Sequence, residues 1–583
     1  MKKITLFLFS LIIVLAICCG LYVKADSTIT LTDGAQIRTA GEFQGLRFAA
    51  SVDTLEGTTE HGFFLALGEH SLSDMRTEIE KDSNTVGANK LIKKATTGED
   101  LEFAVTVYGM DEASEYAQVI TVVAYVYDGS AYTLSSIKVT RNIAEKAREM
   151  YNASETPADI VTTVAEATRV KVTHSDSSVE YFAEISDVTL AAGDTLDLLR
   201  GTYDDVLEVE VANVTVNGTN KDKNFNSNGT RVDGVLETVL NNSILLYTGA
   251  NNCTINGLTI KGSLMDDGNP ATDSWRGSGK VDDKDATRLA ASATQYGAGI
   301  VVFDSHNDIT IKNNKFTMIE GSTYAIVDSC KDNVTMEAEV VTEYKFASNR
   351  QKNLTITNNY IDFTAGTAYS CDIFFRGNVY NTTISSNYFK NSYNPGSNSF
   401  SYDHCIRLWR IGNGSTANTT ITISDNTFAH VKTNIAIDLG FAANSVKTTQ
   451  TINIQRNTYG DYTRRGLRIC NMKNGETVNV VGNDMTISNE NSANYAILIS
   501  GGTAKTNSSD ATPNINVKNN AFNGTVKLQF GFAAATNFAI DHNYYDGGSA
   551  TFDGTVTTSI LEAASVDPNA DKYATYEAWV AAQ

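Results

Sequence analysis

The chain has 583 residues, of which 42% are hydrophobic and 19% are charged, and its formal net charge is −21. This length and apolar content allow two or three domains with a substantial core. The acidic balance argues against nucleic acid and anionic lipid surfaces as partners, because both would be repelled.

The first 25 residues have the organisation of a secretory signal peptide. Lys2 and Lys3 precede an apolar stretch, and Val23-Lys24-Ala25 offers a cleavage site. Cleavage removes three lysines and no acid from a chain of net charge −21, which leaves −24. The alternative is that this stretch is not cleaved and anchors the protein in the membrane. No later stretch of the sequence is apolar enough to span a bilayer. We therefore expect a secreted or surface-associated protein with no membrane partner after cleavage.

Five cysteines follow the signal peptide, and they are widely spread along the chain. An odd number at such spacing does not make a disulfide framework, and no CxxC pair suggests zinc. We interpret these cysteines as small packing residues, at Cys253, Cys330, Cys371, Cys405 and Cys470.

Residues 26–175 are predicted to form an accessory domain. Stretches such as QGLRFAASV and HGFFLALG are typical of strands, and Asp128-Gly129 predicts a hairpin turn. A helix follows, with Asn142 as its N-cap and Glu145 three residues later. The stretch GAQIRTAGEFQGLRFAA resembles a module at the N-termini of Gram-positive secreted and surface proteins. We expect a small β-sandwich-like domain with one terminal helix that serves as a spacer or attachment module.

A short motif recurs through the rest of the chain. It consists of Ile or Val, two residues, Asn, one residue and a large apolar side chain. A constant motif at irregular intervals predicts a solenoid whose rungs are constant and whose loops vary in length. Asn suits a tight left-handed corner, and stacked amides can also hydrogen-bond to one another. A leucine-rich repeat would need more leucine, and a propeller would need a steadier period. The motif asparagines are Asn314, Asn359, Asn387, Asn426, Asn457, Asn483, Asn520 and Asn543.

The pattern resembles the right-handed parallel β-helix of the pectate-lyase-like superfamily. LAAGDTLDLLRGTYDD and NNCTINGLTIKGS are similar to the opening coils of that fold. The resemblance implies a mainly β chain with a parallel β-helix over residues 176–548 and a C-terminal cap over 549–583, where ATYEAWVAAQ predicts a short helix. The same fold carries lyases, hydrolases, isomerases and adhesins, so the resemblance implies architecture rather than one reaction.

A second apolar strand lies upstream of most copies of the motif. Aligning these strands predicts inward pairs, and a slip of one residue would reverse every assignment. The inward pairs are Ile373/Phe375, Ile406/Leu408, Ile435/Ile437, Leu467/Ile469 and Ile497/Ile499. The outward positions between and after them would form a cationic and aromatic patch on neighbouring coils. From this patch we select catalytic candidates Arg376, Arg407, Arg468, Asp438 and Asp372, and substrate-binding candidates Trp409, Asp403, His404 and Arg410.

The patch suggests an anionic polysaccharide as partner and β-elimination as reaction. Arginine or bound Ca²⁺ would stabilise the charge that develops on a uronate carboxylate when its α-proton is removed. The related lyases use bases of this type, with Asp372 and Asp438 here orienting the arginines or holding calcium. Hydrolysis by paired aspartates is an alternative. A glycan-binding or surface-structural protein is another. Salt bridges between neighbouring coils are the competing interpretation of the same charges. We expect a monomer.

A long insertion, residues 263–299, interrupts the coils. It is rich in Gly, Asp and Ser and lacks periodicity, so we expect it to protrude as a loop. Trp275 and Arg276 would border the substrate cleft if it lies beside the arginine patch.

Overall fold

The structure is a computed structural model that divides into two compact units, Met1–Thr168 and Arg169–Gln583. None of the helices it describes is long and apolar enough to cross a membrane. The described residues are 27–40, 43–96, 99–153, 157–226, 229–247, 249–265, 296–303, 306–318, 324–329, 350–362, 371–376, 378–390, 404–411, 418–429, 431–439, 450–460, 462–486, 495–501, 512–532, 537–554, 567, 569 and 571–583.

The first unit contains two antiparallel sheets. One is built from Ile29–Leu31, Gln36–Ala40, Phe43–Val52 and Glu102–Tyr108. The other is built from Glu60–Leu67, Thr85–Val86, Asn89–Thr96, Ile120–Tyr127, Tyr132–Leu134 and Val139–Arg141. The expected β-rich domain is confirmed, but the prediction of a single terminal helix was wrong. The described residues of this unit include four helices, at Leu72–Glu80, Ala113–Tyr116, Ile143–Ala153 and Asp159–Ala167.

Both local signals in this unit have the expected geometry. Tyr127 pairs with Tyr132 across the predicted hairpin, and Gly129 has a φ of 95° that a side chain would disfavour. The Asn142 side chain caps the third helix by accepting the backbone N–H of Glu145 at 2.7 Å.

The second unit is a parallel β-helix, as expected, in which the chain visits three sheets in turn. Sheet 1 contains Thr195–Leu198, Thr215–Asn217, Thr254–Asn256, Thr310–Lys312, Thr355–Thr357, Thr382–Ser385, Thr419–Ser424, Gln450–Gln455, Thr477–Val481, Asn514–Lys518 and Asn537–Asp541. Sheet 2 contains Gly201–Tyr203, Thr238–Leu240, Thr259–Ile260, Lys315–Thr317, Tyr360–Asp362, Tyr388–Lys390, Thr427–Phe428, Thr458–Tyr459, Asp484–Met485, Ala521–Phe522 and Tyr544–Tyr545. 

Sheet 3 carries the strands on which the candidate site was predicted. It contains Leu207–Val209, Ile244–Leu246, Tyr296–Phe303, Tyr324–Ser329, Cys371–Arg376, His404–Ile411, Val431–Leu439, Tyr462–Cys470, Tyr495–Ser500, Val526–Gly531 and Ala550–Gly554. A small additional sheet is formed by His306–Asn307, Arg350–Lys352 and Asn378–Tyr380, and a 3₁₀ turn lies at Ile185–Asp187.

The motif asparagines form a continuous buried ladder. Each side-chain Nδ2 donates to the Oδ1 of the next asparagine at 2.9–3.2 Å, from Asn314 to Asn543. The stacking of the amides was predicted, but the prediction put the left-handed conformation at the asparagine itself. Positive φ belongs to the residue before each asparagine, at Asn313, Asn358, Ser386, Asp425, Arg456, Gly482, Asn519 and His542. The ladder asparagines instead satisfy backbone groups inside the coil, which a side chain pointing to solvent could not do.

Both ends of the β-helix carry additional elements. Val170–Thr173 pairs antiparallel with Thr195–Leu198 and with Val179–Phe182, so this hairpin extends sheet 1 and the unit begins at Arg169 rather than near residue 176. At the other end the predicted helix is present at Tyr576–Val580. Its Trp579 packs with Ala521 and Tyr544 of sheet 2, which covers apolar surface on the last coils.

The lengths of the connections differ systematically between the sheets. Each corner between sheets 1 and 2 in the motif coils is a two-residue pair, the left-handed residue and the ladder asparagine. The segments of variable length all adjoin sheet 3, at 318–323, 330–349, 363–370, 391–403, 412–418, 440–449, 486–494 and 501–513. The insertion 263–299 also begins there, with Ser263–Met265 paired antiparallel to Tyr296–Ala298. The connections that differ in length from coil to coil are therefore those next to sheet 3.

Candidate functional site on the outer face of sheet 3

The strand alignment predicted for sheet 3 is confirmed in register. The ten residues predicted to point inward are all fully buried in the core. Two outward columns follow from the same pairing. One is Phe374, Arg407, Ala436, Arg468 and Leu498, and the other is Arg376, Trp409, Asp438 and Cys470.

Two irregularities interrupt the pairing beside these columns. The register shifts between Trp409 and Ile411 against the next strand, and again between Val431 and Thr433. Such bulges redirect side chains and are frequent next to active sites.

Arg407 lies on the outer face, but it is only 7% exposed. Its neighbours along the strand, Ile406 and Leu408, occupy the core, so Arg407 is not inside the coil. The guanidinium carbon lies 5.1 Å from the centroid of the Phe374 ring, and Phe374 in turn stacks on Tyr324 at 5.6 Å. The prediction of a solvent-exposed guanidinium was therefore wrong, because the planar cation packs on an aromatic ring.

Arg468 is the more accessible of the two arginines in this column, being half-exposed. Its backbone lies two coils from Arg407, with Ala436 at the register position between them. Coil spacing of about 4.8 Å puts the two backbones about 10 Å apart. The residue at the position between the two arginines is an alanine, which has one of the shortest side chains.

Asp372 is completely buried, which corrects its predicted role in orienting arginines or holding calcium at the surface. Burial raises the pKa of the Cys405 thiol well above its usual range, and the neighbouring Asp372 charge raises that pKa further. A carboxylate enclosed beside a thiol is not accessible to substrate or to a hydrated cation.

His404 was predicted to lie just before its strand and to contact substrate. The strand instead begins at His404, which is 2% exposed and pairs in register with Cys371 and Thr433. Its ring is therefore enclosed rather than presented to solvent.

The remaining candidates are defined by their backbone positions. Arg376, Trp409 and Asp438 occupy consecutive positions of the second outward column, and Arg410 lies at the bulge. Only the backbone of these four residues is described. Asp403, Trp275 and Arg276 lie outside the described residues.

Among the described residues, no group of three or more His, Cys, Asp or Glu side chains could hold a metal. The calcium ion stays a prediction, because the side chain of Asp438 lies outside the described part of the chain. Asp372, one of the two acids predicted as ligands, is enclosed.

The sequence reasoning missed the aromatic floor of the site. Tyr324 was not considered, and Phe374 was placed on the outer face without being linked to Arg407. The signal was present, because Phe374 and Arg407 occupy equivalent outward positions on successive strands.

Comparisons with known proteins give one weak likeness. No family model matches the chain, and no curated protein matches it. The structure has a likeness to the crystal structure of a hyperthermoactive exopolygalacturonase from Thermotoga maritima. The two are 9% identical, the match covers 61% of this chain and 83% of that chain, and the TM-score is 0.25. A likeness of this size supports no conclusion about activity, and the β-helix assignment rests on the three parallel sheets themselves.

Proposed function

We propose that the protein is secreted, that it binds an acidic polysaccharide on the outer face of sheet 3, and that it cleaves this polymer by β-elimination. The observation that carries the proposal is the column Arg407–Ala436–Arg468, in which two arginines flank a short side chain. A uronate carboxylate would bind between these two arginines, because arginine binds carboxylates through paired, charge-assisted hydrogen bonds. The variable segments and both bulges adjoin the same sheet, which is where a substrate-specific surface is expected.

The three arginines have two different roles in the proposed reaction. Arg407 packs against Phe374, and Arg468 is partly exposed. Together they stabilise the negative charge that grows on the carboxylate oxygens. Arg376, in the adjacent column, is the proposed base. It takes the proton from the carbon next to the carboxylate, and that electron pair forms the new carbon–carbon double bond. The glycosidic oxygen then leaves with its bonding pair and takes up a proton.

Binding without cleavage is the second candidate function. The observation that favours it is the coverage of Arg407, because an arginine seated on a ring and 7% exposed also stabilises the sheet. Hydrolysis is less well supported, since it needs two accessible carboxylates and Asp372 is enclosed.

The test uses the full chain on polygalacturonate, alginate and hyaluronan. Ultraviolet absorbance of the unsaturated product reports elimination, new reducing ends without that absorbance report hydrolysis, and affinity electrophoresis reports binding. We expect Arg468→Ala to lower turnover at least tenfold and Arg468→Lys to recover only part of it, because lysine acts as a point charge.

Arg456→Ala is the matched control. Arg456 belongs to the same coil but lies at a corner between sheets 1 and 2, where it pairs with Asp425 at 2.7 Å. Its removal should leave activity unchanged. Binding without either product would leave only the second candidate, and wild-type protein that neither binds nor cleaves any of the three polymers would overturn the proposal.

A further inference from the structure

The outer face of sheet 1 carries an uncharged surface that sequence reasoning did not identify. One outward column runs in unbroken register through ten coils, and a second flanks it on the last coils. We call these residues the neutral face: Thr195, Thr215, Thr254, Thr310, Thr355, Thr383, Thr422, Asn453, Asn479 and Asn516, with Thr420, Thr451, Thr477, Asn514 and Asn537 beside them. Every one of them is exposed or half-exposed.

The neutral face is unusual for this chain, in which 19% of residues are charged and the net charge is −21. Charges appear only along its borders, where described lysines and aspartates pair with each other. Lys312 lies 2.8 Å from Asp222, and Lys518 lies 3.1 Å from Asp541. At about 4.8 Å per coil the main column is about 40 Å long. The protein therefore presents a long polar surface with little net charge.

The side chains of the neutral face offer regularly spaced hydrogen-bonding groups. The Nδ2 of Asn479 donates to Asn453 at 2.8 Å, and the Nδ2 of Asn516 donates to Asn479 at 2.7 Å. An asparagine amide has two N–H donors and two acceptor lone pairs, so this ladder uses one of each at Asn479. One N–H donor and one lone pair of Asn479 remain after these two bonds are counted. Each threonine adds a hydroxyl that both donates and accepts.

We propose that the neutral face binds a linear, uncharged polysaccharide laid along the axis of the β-helix. Sugar hydroxyls are themselves donors and acceptors, and a polymer presents them repeatedly, so many weak contacts add up along the column. An anionic polymer would gain no ion pair here. A second copy of this chain is disfavoured as occupant, because each copy carries the same large negative charge. This site is separate from the outer face of sheet 3 and does not depend on the function proposed there.

The experiment measures how much of the full-length protein is removed from solution by two insoluble neutral polymers, microcrystalline cellulose and linear mannan. We expect wild-type binding that changes less than twofold between about 0.05 and 0.5 M salt, because no exposed ion pair is screened. The double substitution Thr355→Lys and Thr383→Lys places two long cations at the centre of the face, and we expect it to weaken binding at least tenfold. Thr317→Lys, at an exposed position of sheet 2, is the matched control.

Thermal melting shows whether the lysine variants remain folded, and Asn479→Lys provides a second, independently placed disruption. Failure of the wild type to bind either polymer would overturn the proposal, as would wild-type affinity in both disrupted variants. Inhibition of ice recrystallisation that is lost in the variants, without polymer binding, would assign the face to ordered water instead. A dimer in sedimentation that the variants convert to monomer would assign it to self-association.

Discussion

The outer faces of sheets 1 and 3 are built on the same coils but have opposite characters. Sheet 1 keeps its parallel register through the motif coils, repeats Thr and Asn, and meets sheet 2 through two-residue corners. Sheet 3 contains two register shifts, an aromatic ring under an arginine, and all the connections of variable length. A regular face suits a repetitive partner, whereas an irregular face suits a particular chemical group. One scaffold would therefore carry the two proposed binding functions on separate sheets.

The largest expected effect comes from the buried asparagine ladder at the corners between sheets 1 and 2. Asn426 donates to Asn457 at 3.0 Å and to the Ile384 carbonyl at 2.9 Å, and it accepts the Asn387 backbone N–H at 2.9 Å. Asn426→Ala should cost about 3–6 kcal/mol in the free energy of unfolding, since buried backbone groups lose their partners. Asn479→Ala on the neutral face should cost less than about 1 kcal/mol in the same urea titrations. Equal losses would mean that the exposed ladder also holds the coils together.

A second experiment compares a core-facing and an outward-facing side chain of the same strand in sheet 3. Ile406 is fully buried, and Ile406→Ala should lower the free energy of unfolding by about 2–5 kcal/mol. Arg407→Ala should cost about 1–2 kcal/mol, because it removes the packing of a guanidinium on Phe374. Chemical denaturation of both variants checks this. If Arg407→Ala destabilises as strongly as Ile406→Ala, the arginine is chiefly a structural residue.

Glu476 lies in the corner that joins sheet 3 to sheet 1, and it should make stability depend on pH. Burial raises the pKa of Glu476 from its ordinary value of 4.5 to about 7. The folded protein therefore holds this proton more tightly than the unfolded chain, and stability is lost as pH rises from about 4.5 through 7, by up to about 3 kcal/mol.

Glu476→Gln should remove this dependence and make the protein more stable above pH 7. The glutamine oxygen can still accept the Lys473 backbone N–H, which the carboxylate accepts at 2.7 Å. Melting temperatures at pH 5 and pH 8 measure the effect. A variant that is less stable than wild type at pH 8 would contradict the prediction.

The smallest effect concerns the hairpin that extends sheet 1 at its start. Hydrogen bonding to Asp194 raises the pKa of His174, whose Nδ1 lies 3.0 Å from that carboxylate, and Glu180 lies 3.5 Å from Nε2. The charged pair stabilises the hairpin below the ordinary histidine pKa, and this stability is lost as pH rises through the raised value. Because the ring is partly exposed, we expect less than about 1 kcal/mol.

Amide exchange of residues 170–182 should accelerate between pH 6 and 8 beyond the intrinsic rate in wild type but not in His174→Gln. Identical pH profiles for the two proteins would show that the ion pair does not hold the hairpin.

The sequence predicted the β-helix and the register of sheet 3 because both depend on periodicity. Ile406 and Leu408 alternate with outward residues, and stacking identical motifs fixes which strands become neighbours. Burial on the outer face could not be predicted in this way. Whether Arg407 meets solvent or the Phe374 ring depends on contacts between coils that are distant in sequence. The same holds for Asp372, which is buried beside Cys405 of the next coil. The neutral face was overlooked because an absence of charge is less conspicuous than a cluster of it.

Because of the asparagine ladder, the β-helix can gain or lose residues most easily as complete coils. Because every ladder residue bonds to its counterparts on the two adjacent coils in the same way, excising residues 458–483 would bring Asn457 against Asn520 with an equivalent contact. The spacing between any two features along the axis can therefore change only in steps of about 4.8 Å. Evolution or design can lengthen the protein without redesigning its interior, but it cannot adjust the distance between Arg407 and Arg468 continuously.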